Sequence, residues 1–281
     1  MADLEQRLAA MPGTDLVRTE SSGDATRAAR EACAAGIARI VAAGGDGTLH
    51  EVVQGVAPDF NRVQLGLLPL GTGNDFARSV GIPSALEPAL AILDRGRERA
   101  VDVFRVEVEG GGDRFLLNAS SAGFSAIVSE HADAQKEGWG ALAYSVGAMK
   151  ALPDLRVYRL RFQVDDGPEE EVAAWAFVLA NGGTIAGGIP VVPAARLDDG
   201  RADLLVVPEM PMTALAVVLA RILLGKHTGD PSLLFRSGRR FRMDSEPSMP
   251  LNTDGELAGE TPVSYAIHTR QLRLLAPSEK G

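Results

Sequence analysis

Residues 40–55 read IVAAGGDGTLHEVVQG, an apolar run that breaks at Gly44-Gly45-Asp46-Gly47-Thr48 and resumes as a helix-like pattern. Glycine gives up side-chain contacts and loses more freedom on ordering than other residues, so this cluster needs a backbone reason. Either the turn is tight, or something approaches the main chain closely. A strand that feeds a helix through such a turn gathers N–H groups and the positive helix end around one point, which suits a phosphate. A strand-to-helix turn capped by Thr48 accounts for the same residues equally well. The common nucleotide signatures G-x-x-x-x-G-K-[ST] and G-x-G-x-x-G after a strand are absent.

A second glycine turn shifts the balance. LLPLGTGNDFARSVGIP (67–83) runs from an apolar strand pattern through Gly71, Thr72 and Gly73 into a helix pattern that opens with Asn74 and Asp75. Turns from neighbouring parallel strands lie side by side at the carboxyl ends, where open α/β sheets bind ligands. Asp75 alone reads as a helix cap. Asp46 and Asp75 together form a carboxylate pair beside a phosphate cradle, which implies a cation such as Mg²⁺.

Around these turns the first hundred residues alternate between helix and strand. Residues 23–36 read as an alanine-rich helix, 37–43 as a buried strand, and 48–56 as a helix with Val52, Val53 and Val56 inward. Residues 63–70 read as a second buried strand, followed by two helices that end in glycine. This pattern implies a parallel sheet covered on both faces. Beyond Asp102 the chain is mostly strand-like, with a hairpin turn at Asp165-Asp166-Gly167 and helix patterns at 140–152 and 213–225. The fold class is therefore α/β: an N-terminal α/β nucleotide-binding domain (1–100) joined to a mostly antiparallel β domain (101–281).

Composition excludes several classes. A net charge of −9 over 281 residues argues against general nucleic-acid binding. The basic run FRSGRRFR (235–242) reads as a charged strand face, with an anionic membrane surface as the alternative. Cys33 is the single cysteine, so no intramolecular disulfide forms, and the four histidines lack metal-ligand spacing. The start, MADLEQRLAAM, lacks the features of a signal peptide, and the apolar run 214–225 is short and carries Arg221. The expected compartment is the reducing cytoplasm.

The two glycine blocks in tandem resemble the diacylglycerol kinase catalytic family, in its soluble bacterial YegS-like branch related to sphingosine kinases. Further matches follow in order: TESSGDA (19–25), VDV (101–103), FLLNASSAGFSA (115–126), PAARLDDGRADLLVV (193–207), LLGKH (223–227) and NTDGE (252–256). The resemblance implies an ATP- and Mg²⁺-dependent lipid kinase with its active site between two domains. Thr19, the loop Gly44, Gly45, Asp46, Gly47, Thr48, Leu49 and His50, and Thr72 are then expected to contact ATP. Glu51, Asp75 and Asp102 are expected in the polar network around the phosphates and their cation. Asp254 matches the family's general base. Asp199, with the carbonyls of Arg196 and Arg201, matches a structural Mg²⁺ site. The implied partners are a lipid taken from a membrane surface and, through it, peripheral membrane contact; a homodimer is left open.

Two departures stand out. The family opens with a strand and an Asn-Pro turn upstream of where this sequence begins, so either the true start lies upstream or the sheet lacks its first strand. His50 stands where Asn is common. Alternative readings are an NAD kinase or phosphofructokinase relative, which also use Gly-Gly-Asp-Gly turns, and a nucleotide-binding protein without kinase activity.

Overall fold

The computed structural model describes residues 2–9, 13–57, 59–123 and 155–278. Its N-terminal half grows from β1 (Arg39–Gly44) and β2 (Gln64–Pro69), which pair in parallel with Val41 opposite Gly66. The helices α2 (Asp24–Ala34), α3 (Asp46–Val56), α4 (Asp75–Ser79) and α5 (Leu86–Arg95) follow the predicted alternation, after a short α1 (Ala2–Ala9). Val52, Val53 and Val56 of α3 are buried, as their spacing requires. They join Leu65, Leu67 and Leu68 of β2 and Leu90 and Leu93 of α5 in one core.

The sequence predicts β1 as a buried strand, and the structure corrects this. Only Ala42 of β1 is buried, and Val41 is 38% exposed. The reason is position: β1 ends the strand order, with β2 its one partner among the described residues. No strand precedes Arg39 among the described residues.

β2 takes its other neighbour from the far end of the chain. The final strand, β13 (Val263–Ala276), runs parallel to it with Arg273 opposite Gln64 and Leu274 opposite Leu65. β13 also pairs antiparallel with β3 (Arg97–Val108) along its length, with an irregularity between His268 and Leu272. Asp102 on β3 sits at this interruption. Its carboxylate accepts the N–H of Arg270 at 2.6 Å and of Gly200 at 2.7 Å. Its own N–H donates to Leu197, and its carbonyl accepts from Asn181 Nδ2. Burial pushes the Asp102 carboxyl up, and the two N–H donors oppose that.

The remaining strands are β4 (Arg114–Leu116), β5 (Ala119–Gly123), β6 (Tyr158–Val164), β7 (Glu169–Ala180), β8 (Ala202–Pro208), β9 (Leu234–Gly238), β10 (Arg240–Glu246), β11 (Pro250–Thr253) and β12 (Glu256–Glu260). From β13 the order continues β10, β6, β7, β5, β11, β12, all antiparallel, with β8 and β9 branching from β7. One core lies among Phe104, Phe162, Phe177, Phe241 and Tyr265. A second lies under α6 (Met212–Leu223), which buries Leu215, Val218 and Ile222. The Asp165 hairpin forms as predicted, with Asp165 at φ 53 and Gly167 N–H closing onto Val164. The basic run is a charged strand face, where Arg236 pairs with Glu170 and Arg240 with Asp166. The helix predicted at 140–152 lies outside the described residues.

Asp102 offers a test of how the halves are joined. In Asp102→Asn the amide NH₂ would face one of the two N–H donors, leaving a buried donor unpaired at a cost of about 1–3 kcal/mol. Calorimetry should show a lower thermal midpoint; an unchanged midpoint would mean that the carboxylate does not hold the junction.

Candidate active site

The two glycine turns meet backbone to backbone. A Cβ at Gly71 would lie 2.5 Å from Gly45 Cα, and one at Gly45 would lie 3.2 Å from Gly71 Cα. Gly45 itself has an extended backbone, φ −90 and ψ −168, so close approach rather than a left-handed turn is what demands glycine there. Asn74, in the left-handed region at φ 51, locks the second turn by accepting from Gly71 N and donating to Gly71 O.

α3 begins at this contact, and no side chain caps it. Its first-turn N–H groups carry no intrahelical partner, and the helix dipole adds positive potential there. Asp46 does not cap its own helix. Its carboxylate reaches α4, where it accepts from Asp75 N and Phe76 N, both at 3.1 Å. Asp75 in turn accepts from Gly187 N at 2.7 Å and Arg78 Nη1 at 2.8 Å. Burial pushes the Asp75 carboxyl up; the Gly187 N–H opposes this and Asp46 adds to it. The two carboxylates expected beside a cation thus each accept two hydrogen bonds within the protein, from backbone N–H groups and, at Asp75, from Arg78.

The TDGE turn between β11 and β12 lies against the same helix end. A Cβ on Gly47 would meet Glu256 Oε1 at 3.5 Å, and the Asp254 Oδ2 to His50 Nδ1 distance is 3.6 Å. The Asp254 side chain is 6% exposed and accepts three N–H bonds, from Leu117 at 2.8 Å, Asn118 at 2.9 Å and Ala119 at 3.0 Å. Residues about two hundred positions apart thus share one site.

The other expected residues have the following surroundings, Thr72 lying within the second glycine turn and Leu49 and Glu51 on α3. The Glu51 carboxylate accepts from Ala25 N, in the first turn of α2. Asp102 lies at the strand junction described above. Asp199 accepts from Arg201 N in its own turn, and the Arg196 guanidinium faces Asp198 at 3.5 Å. Thr19 and Thr72 are exposed, and Leu49 is buried in the core. The sequence reading did not single out Glu256, Asn118 or Gly187. Asn118 donates to Thr184 O, and its Oδ1 accepts from Ser79. A usable signal for Gly187 was the adjacent glycine pair, for both Gly187 and Gly188 have positive φ, 82 and 112. Among the described residues, no three His, Cys, Asp or Glu side chains converge as a metal-binding set.

Residues 2–106 match the diacylglycerol kinase catalytic domain, and residues 118–276 match the YegS C-terminal NAD kinase beta sandwich-like domain. The chain belongs to the diacylglycerol kinase family. It is 32% identical over 267 residues to the diacylglycerol kinase of Staphylococcus aureus (strain Newman), an alignment covering 95% of this chain and 83% of that one. A solved structure of a putative diacylglycerol kinase from Bacillus anthracis str. Sterne superposes with a TM-score of 0.81 at 25% identity, covering 97% of this chain and 89% of the other. Another diacylglycerol kinase structure from the same organism, at TM-score 0.72 and 23% identity, shares the fold over 95% of this chain and 86% of its own. Membership in a diacylglycerol kinase family supports a phosphotransferase enzyme built as an α/β catalytic domain with a β-sandwich-like partner.

Within this diacylglycerol kinase fold, two glycines separate packing from ligand approach. Gly71→Ala should destabilise the protein by about 1–3 kcal/mol, because its Cβ strikes the opposite backbone. Gly47→Ala meets only Glu256 at ordinary contact distance, so its thermal midpoint should match wild type while nucleotide affinity falls. Differential scanning fluorimetry with and without nucleotide checks both, and an unaltered affinity in Gly47→Ala would make the loop a plain turn. Gly45→Val is a poorer probe, since it confounds folding with binding.

Proposed function

We propose that the chain is an ATP-dependent lipid kinase that transfers the γ-phosphate to a lipid hydroxyl, with diacylglycerol as acceptor and phosphatidic acid as product. The observation that carries this reading is the docking of the TDGE turn on the uncapped N-terminus of α3, beside the paired glycine turns. An open donor-rich helix end suits the phosphates, and buried Asp254 and His50 lie a few ångströms away on the acceptor side. The 32% identity to a protein named diacylglycerol kinase supports the choice of acceptor.

The residues fit their expected ligands unevenly. The first-turn N–H groups of α3 would hold phosphate oxygens, and Gly47 leaves room for their approach. A phosphate-bound Mg²⁺ would neutralise charge developing on the transferred group. At Asp199 a structural Mg²⁺ would have one carboxylate, main-chain carbonyls of Arg196 and Arg201, and water. The case for it is local crowding. Burial pushes the Asp203 carboxyl up, the Ser237 hydroxyl and Arg201 oppose this, and neighbouring Asp199 adds to it, so negative charge gathers where a cation would sit. The acceptor is taken from a membrane surface by a cytoplasmic protein making peripheral contact. No helix among the described residues is long and apolar enough to cross a membrane.

Radiolabelled ATP incubated with Mg²⁺ and a total lipid extract tests the reaction. Label should appear in phosphatidic acid and vanish with chelator. Label in a nucleotide such as NADP would transfer the protein to the NAD kinase class, and no transfer beside tight ATP binding would make it a nucleotide-binding protein only.

The metal has its own test. In the absence of nucleotide, Mg²⁺ should raise the thermal midpoint of wild type but not of Asp199→Ala. Equal stabilisation of the two would remove the site.

A further inference from the structure

α6 buries Leu215, Val218 and Ile222 against the β-rich half, and a surface helix of this kind ordinarily turns charged or polar residues outward. This one does not. Its large outward side chains are Met212, Val217 and Leu223, with Leu224 directly after it, all between 44% and 68% exposed. The smaller outward positions between them are Thr213, Ala216 and Ala220. Arg221 is the one charged residue on the helix, and it pairs with Asp230. A helix that is apolar on all sides belongs in a core or in lipid.

Length and area narrow the choice. At 12 residues α6 is about 18 Å long, too short to cross a bilayer, so a helix lying flat in the headgroup boundary is the membrane geometry open to it. A second copy of the chain is the other way to cover the face. The outward side measures about 18 by 10 Å, roughly 200 Å², against about 800 Å² on each partner of a stable dimer. Charge also favours lipid. The whole chain carries −9, yet residues 210–229 hold Arg221 and Lys226 and no acidic residue. Lys226 is exposed, and anionic headgroups attract such cations.

The helix is fastened to the candidate active site. Just past its end, His227 Nε2 donates to Val191 O at 2.7 Å, and a Cβ on Gly225 would lie 3.0 Å from Pro190 Cγ. The same loop presents the Gly187 N–H that binds Asp75 at 2.7 Å. A surface that holds α6 therefore also holds one wall of the site.

We infer that the outward face of α6 is a docking surface for an anionic lipid bilayer, with Leu223 and Leu224 entering the acyl boundary and Arg221 and Lys226 at the headgroups. The inference rests on the lipid-kinase reading, which it deepens by naming the surface that brings the site to its acceptor.

The test sediments the full chain with phosphatidylcholine vesicles, with and without phosphatidylglycerol. Wild type should bind the vesicles that contain phosphatidylglycerol, and less tightly at high salt. The double variant Leu223→Gln/Leu224→Gln should lose at least about tenfold in vesicle affinity, the least that burying one leucine side chain is worth. Its thermal midpoint and its activity on a dispersed short-chain diacylglycerol should match wild type. Met212→Gln/Val217→Gln, at the other end of the face, is an independent pair in case the first does not fold. Unchanged vesicle affinity in either folded variant overturns the inference, as does a wild type that binds no vesicle. A dimer in sedimentation velocity that the variants convert to monomer also overturns it, because the face would then belong to a second copy. If wild type binds vesicles through α6 yet phosphorylates no lipid, it is the kinase reading that fails.

Discussion

Everything at the candidate site depends on one strand that serves both halves of the chain. β13 pairs antiparallel with β3 and β10 and then, past the interruption at His268–Leu272, lies parallel to β2. The ladder sets the register between the α/β layer, which carries the glycine turns, and the β-rich layer, which carries the TDGE turn. Asp102 reinforces the interruption by accepting the N–H of Arg270, within the interruption, and of Gly200, from a separate turn. A hydrophobic interface alone would tolerate sliding, whereas directional bonds to fixed amides do not. The 3.6 Å separation of Asp254 and His50 is set at the end of this chain of constraints.

The carboxylates share one habit. Asp46, Asp75, Asp102, Asp254 and Glu51 each bind backbone N–H groups belonging to another element. Asp46 ties α3 to α4, Asp75 ties α4 to the loop at Gly187, and Asp254 ties its turn to the segment before β5. A charge-assisted bond to an amide is stronger than a neutral one and fixes orientation. The polar network is thus a framework first, and it leaves the first-turn N–H groups of α3 without an intrahelical partner.

Much of this was legible in the sequence where the signal is local. The glycine turns, the alanine-rich α2, the inward valines of α3 and the Asp165 hairpin each follow from residue type and spacing within a dozen positions. The family motifs correctly paired an α/β catalytic part with a β-sandwich-like part. What escaped was set by distant partners. β1 has the composition of a covered strand, yet coverage depends on neighbours that its own residues do not encode. The hydrogen-bond partners of Asp46 and Asp75 lie on α4 and at Gly187, the latter more than a hundred residues away, so local sequence did not reveal them. His50 reads as an ATP contact that departs from the usual Asn, and nothing near it in sequence shows that Asp254 lies opposite.

The return of β13 also bears on how the molecule is made. A ribosome delivers β2 about two hundred residues before Arg273 and Leu274, which will pair with its inner side. Until then that side presents unsatisfied backbone groups and the apolar Leu65, Leu67 and Leu68. Pairings so far apart in sequence carry a large loop-closure cost and form late. The N-terminal half therefore cannot complete its sheet during synthesis as an autonomous N-terminal domain would, and its maturation is coupled to emergence of the whole chain.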